Sequence, residues 1–91
     1  MRYSAHASAR LQQRAIPGRI VDLLEEFGSS MRSSGADRLF FDKAARRRLA
    51  RNLGGKRDLQ SIERWLNVYI VVSDDGQLVT AARQTARHNR R

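Results

Sequence analysis

The sequence predicts an α+β fold, with helices backed on one face of a small antiparallel sheet, and three stretches carry that prediction. Ile20, Val21, Leu23, Leu24 and Phe27 recur at the spacing of one helix face. "DKAARRRLARNLGG" reads as a second helix, opened by Asp42 and closed by the glycines at 54 and 55. "WLNVYIVV" and "QLVTAAR" flank "SDDG" as two strands of a hairpin. One domain spanning residues 1–91 accommodates all three.

The remaining elements follow in order. Ser4 is a good N-cap for a helix over residues 5–15, whose apolar line is Ala7, Leu11 and Ala15. Ile16-Pro17 ends it, because the residue before proline avoids the α region. Pro17 suits the first turn of the next helix, and Gly28 reads as its left-handed stop. "SSMRSSG", residues 29–35, reads as a polar loop, and a short strand is expected around Arg38 to Phe41. Ala45, Leu49 and Leu53 make the apolar line of the following helix. "RDLQSIER" suggests a helical turn before the hairpin, in which 66–72 should pair with 77–83 through Asp75-Gly76. The basic end, residues 84–91, is expected to fray.

Charge is the strongest global signal. Eighteen cations face nine carboxylates, a net charge of +9, and arginine outnumbers lysine 16 to 2. Arginine suits bidentate contact with phosphate or carboxylate, so RNA or an acidic protein is the expected partner. Cysteine is absent, which excludes disulfides and thiolate metal sites. The two histidines are too far apart in sequence for a ligand pair, and no cofactor is expected. Without a membrane-length apolar run or a signal-peptide stretch, the expected location is the cytoplasm and no membrane partner is expected.

Within this excess, His6, Arg10 and Arg14 fall at intervals of four and form one helical stripe beside the buried line. Like charges at that spacing repel by a few tenths of a kcal/mol. Either they fan out into water or an anion lies beside them.

"YSAHASARLQQRAIP", with its Ser-x-His-Ala-x-x-Arg-x-x-x-Arg helix, resembles the opening of a small bacterial domain family of unknown function. "VYIVVSDDGQLVTAARQTAR" resembles the closing hairpin of the same family. That family in turn resembles the RelE-like toxins of the barnase–colicin–RelE ribonuclease group. The resemblance implies a short antiparallel sheet backed by N-terminal helices, with RNA as substrate. The helix after Asp42 is an addition to the minimal toxin pattern, and no tyrosine follows Tyr69.

Metal-independent RNA cleavage needs a base, an acid and cations on the phosphate. On that expectation His6, Arg10, Arg83 and His88 are the catalytic candidates. Arg14, Arg46, Arg47, Arg48, Arg51, Lys56 and Arg87 are the candidates for contact with nucleic acid. Tyr69 and Trp65 could stack bases, although Trp65 reads better as core. The competing reading is a non-enzymatic module that binds an acidic protein such as an antitoxin or a host defence component. His6 would then be an ordinary helix-start residue, and Arg10 and Arg14 a helix edge lying over the sheet.

Overall fold

A computed structural model of the chain describes residues 2–54 and 56–84, and at Ser33 and Lys56 the backbone only. The fold is α+β. The elements are β1 (Arg2–Tyr3), α1 (Ala5–Gln13), α2 (Gly18–Phe27), β2 (Ser29–Ser33), β3 (Ala36–Phe40), α3 (Lys43–Leu53), α4 (Lys56–Gln60), a 3₁₀ turn (Glu63–Trp65), β4 (Val68–Ser73) and β5 (Gln77–Arg83). The strands form one sheet in the order β1-β5-β4-β3-β2. β2 to β5 are antiparallel, whereas β1 runs parallel to β5, so the sheet is mixed rather than wholly antiparallel.

Alternation along the strands fixes which side is buried. Val68, Ile70, Leu78 and Ala81 are 1% exposed or less, and they face the helices. Ile20, Val21, Leu23 and Leu24 of α2, Ala45 and Leu49 of α3, and Ala7 and Leu11 of α1 meet them in a single core. Each fully buried leucine or isoleucine contributes about 1.5–3 kcal/mol relative to an exposed one. The helices expected from periodicity are therefore present because those residues supply the core.

The expected polar loop at 29–35 is instead a strand. Ser29–Ser33 pairs with Ala36–Phe40 through a two-residue turn, Ser34-Gly35, in which both residues have positive φ (49° and 78°). That turn matches the twist of the flanking strands, which is why so polar a segment can join the sheet. The second hairpin turns through Asp74, Asp75 and Gly76, the glycine at φ 83°. Val71 pairs with Thr80 but Val72 pairs with Leu78, so Val79 is an extra, bulged residue.

Two helix ends differ from expectation. α1 stops at Gln13, and Ala15 takes a left-handed conformation (φ 51°), with Ile16 N–H donating to the Leu11 carbonyl at 2.9 Å and Ala15 N–H to that of Gln12 at 3.3 Å. These paired bonds are a Schellman closure, normally the place of glycine. Gly28, by contrast, is not left-handed but extended (φ −67°, ψ 155°). Glycine is needed there because a Cβ would lie 2.5 Å from the Leu24 carbonyl oxygen and 3.2 Å from that of Phe40.

Candidate nucleic-acid interface

Ser4 places the α1 stripe. Its hydroxyl accepts from Ala7 N–H (3.0 Å) while its own N–H donates to the Leu78 carbonyl (3.0 Å), so one residue both caps the helix and pins it beside β5. The stripe then divides. Arg10 Nε donates to His6 Nε2 at 3.4 Å, and Arg14 Nη1 donates to the Ala81 carbonyl at 3.0 Å. Arg14 thereby covers an edge acceptor of β5 left unpaired beyond the short β1.

Three further arginines gather at one end of the sheet, where β2 and β4 begin and β3 and β5 finish. Arg48 donates to the Phe27 carbonyl and to Ser29 Oγ. Arg46 bridges the carbonyls of Phe41 (3.3 Å) and Leu66 (3.4 Å). Arg83 donates to the Arg64 carbonyl at 2.6 Å and to Asn67 Oδ1 at 3.2 Å. A guanidinium carries five N–H donors, so the exposed Arg46 and the half-buried Arg83 keep donors for a further ligand. Asp42 shares this end, accepting from the Ser29 hydroxyl at 2.6 Å, and the opposite end of the sheet holds Asp37, Asp74 and Asp75. There Arg32 grips Asp74 through two bonds (2.6 and 2.8 Å) and reaches Asp37 at 3.3 Å, and Arg2 lies 3.8 Å from Asp75. Hydrogen bonding from Arg32 lowers the Asp74 carboxyl below its ordinary pKa, and the Ser73 hydroxyl does the same for Asp75.

α3 presents a second cationic surface. Lys43, Arg47 and Arg51 are exposed, lie one turn apart, and form no ion pair among the described residues. No carboxylate occurs between Lys43 and Leu53.

The sheet face away from the helices carries Ser29, Phe40, Tyr69 and Ala82 in one row and Met31, Arg38, Val71 and Thr80 in the next, as strand register and alternation require. The Arg38 guanidinium lies 4.0 Å from the centre of the Tyr69 ring, and Met31 is 58% exposed. Arg38, Phe40 and Met31 were not among the sequence candidates. The signal that would have found them is the Ser-Gly turn, which converts residues 29–40 into a hairpin with alternating faces. Trp65 is partly buried against the core, and Arg64 lies 5.0 Å from the centre of its ring.

Of the catalytic candidates among the described residues, His6 and Arg10 share a hydrogen bond, and Arg83 is anchored elsewhere on β5. Ser4, two residues from His6, bonds Leu78 and Val79, whereas Arg83 is held by Arg64 and Asn67 at the other end of β5. Leu78 and Arg83 are five positions apart along the strand, about 16 Å. Gln84 N–H still donates to the Asn67 carbonyl at 2.8 Å. Arg87 and His88 lie outside the described residues, as does the side chain of Lys56. Among the described residues no group of three or more acidic or histidine side chains gathers to hold a metal ion, and no helix is long and apolar enough to cross a membrane. No known protein family matches the chain, and neither a curated protein nor a solved structure matches it at a significant level.

Proposed function

We propose that the protein binds RNA, holding its phosphates on the cationic surface of α3. The observation that carries this reading is the Lys43–Arg47–Arg51 stripe, exposed on a helix that contains no carboxylate. Lys43 sits in the first turn, where the helix dipole disfavours a cation, and each neighbouring pair in the stripe repels by a few tenths of a kcal/mol. A polyanion turns those penalties into attraction. The reading is of binding, without a cleavage step.

Salt dependence tests it. Affinity for single-stranded RNA should fall steeply with salt, at roughly 0.7 in logarithmic slope per phosphate contact. Replacing Lys43, Arg47 and Arg51 together by Gln should lower the slope by about 2, three contacts' worth, for all sequences alike. A salt-independent affinity, or an unchanged slope in the triple variant, would remove the basis of the proposal.

A further inference from the structure

We infer that Arg46 and Arg83 form a phosphate site at the end of the sheet, apart from the α3 stripe. The inference goes beyond the RNA reading above, because it names a fixed site and two side chains which that reading does not use. Arg46 reaches the segment 64–67 from α3, donating to the Leu66 carbonyl, and Arg83 reaches it from β5, donating to the Arg64 carbonyl and to Asn67 Oδ1. Both guanidinium groups are therefore tied to one short turn, and a ligand need not immobilise them. Each keeps an open edge among the described residues. Arg46 uses Nε and Nη2 on the carbonyls of Phe41 and Leu66, which leaves Nη1. Arg83 uses Nη1 twice, which leaves Nε and Nη2, the pair that grips an oxyanion with two parallel bonds. Arg48, at the same end, has that pair closed on the Phe27 carbonyl and Ser29.

Charge and shape name the ligand. The partners of Arg46 and Arg83 are neutral oxygens, and neither arginine joins an ion pair among the described residues. Glu63, which opens the 3₁₀ turn, pairs with neither, and Asp42 is engaged by the Ser29 hydroxyl and the Ala45 N–H. Arg83 is half-buried, and a cation drawn partly out of water without a counter-charge is unfavourable. An anion that accepts from both open edges removes that penalty. A carboxylate has two coplanar oxygens, matched to one such edge, whereas the tetrahedral oxygens of a phosphate face two edges at once.

Thermal unfolding of the full-length protein, with chloride replaced by inorganic phosphate at constant ionic strength, reads the site without RNA. Phosphate should raise the melting temperature, because a ligand of the folded state stabilises it. Replacing Lys43, Arg47 and Arg51 together by Gln should leave that rise intact. Arg46→Lys and Arg83→Lys keep the charge but lose the planar edge, and each should remove the rise measured against its own phosphate-free midpoint. In the unaltered protein the Nε–H resonance of Arg83 should move as phosphate is added while that of Arg48 stays in place, which tests the site even where a variant fails to fold. A short single-stranded RNA with a 5′-phosphate, and the same strand with a 5′-hydroxyl, distinguish the source of the group. If the site holds a strand end, the phosphorylated RNA binds roughly 10-fold more tightly, the effect of about one charged hydrogen bond, and Arg83→Lys abolishes the difference. If it holds a phosphate within the strand, the two bind equally and Arg83→Lys weakens both alike. No rise with phosphate, a rise that survives in both lysine variants, or an Arg83 resonance that does not move overturns the site and leaves the RNA reading standing. A rise with phosphate but no affinity for either RNA overturns the RNA reading and leaves the site.

Discussion

Arg48 on α3 donates through Nε and Nη2 to the carbonyl oxygen of Phe27, the last residue of α2, at 3.1 and 2.9 Å. α2 has no basic residue in its own last turn, so a guanidinium from a neighbouring helix satisfies a terminal carbonyl and meets the negative end of the dipole. Among the described residues its neighbour Arg47 makes no such contact. Arg48→Ala should lower unfolding free energy by about 1–2 kcal/mol while leaving the salt slope of RNA binding unchanged. Arg47→Ala should do the opposite. Denaturant midpoints and a salt titration of both variants decide it, and a stability loss equal in the two would refute the division of roles.

Ala15 occupies the left-handed position that closes α1. An L-residue with a Cβ pays about 1 kcal/mol or more in that conformation, against the smaller entropic penalty of glycine. Ala15→Gly should therefore stabilise the protein, by about 0.5 kcal/mol, visible as a higher melting temperature. A lower one would mean that the Schellman closure is not the conformation in solution.

Gly28 should tolerate nothing larger. Its hypothetical Cβ meets backbone oxygens of Leu24 and Phe40, neither of which is a flexible side-chain end. Gly28→Ala is expected to cost about 1–3 kcal/mol, as overpacking does, and to loosen the junction of α2 with β2. Thermal unfolding of this single variant is the check.

The Asp42 carboxyl lies below its ordinary value of 3.8, chiefly because the Ser29 hydroxyl donates to it at 2.6 Å, with the Ala45 N–H and the Arg48 charge adding to the effect. A carboxylate whose pKa is lower folded than unfolded contributes fully above the unfolded value and is lost as pH falls through the folded one. Stability should accordingly decline below about pH 4, and it should decline less steeply in Asp42→Asn, which keeps a capping oxygen without the charge. Parallel acid titrations with the same slope in both proteins would argue against this linkage.

Where core-forming periodicity was strong, the sequence was easy to interpret: α2 and α3 bury the side chains their spacing selects, and the β4–β5 hairpin turns at Gly76. β2 was missed because its serines and arginine carry no apolar alternation, and its place is set by the Ser34-Gly35 turn and by β3. β1 is two residues long and has no local signature at all. Among the site residues, exposure of the arginines was legible but their partners were not. Arg14, Arg46, Arg48 and Arg83 all donate to backbone carbonyls, and a carbonyl left open by the fold has no side-chain identity to read in advance.

Ser4 bonds Leu78 and Val79, some 75 positions later in the chain, and with it α1 and β1 are committed to the last strand of the sheet. The two hairpins need only their own turns to form, while α1 must close a loop nearly as long as the protein. On the ribosome, Ala7 and Leu11 leave the tunnel with no surface to cover and wait until β5 has followed them out. The segment from β1 to α1 is thus the closing clasp of the fold: it precedes β5 by some 75 residues and is fastened only once β5 is in place. In native-state hydrogen exchange its amides should open at lower free energy than those of β3 and β4.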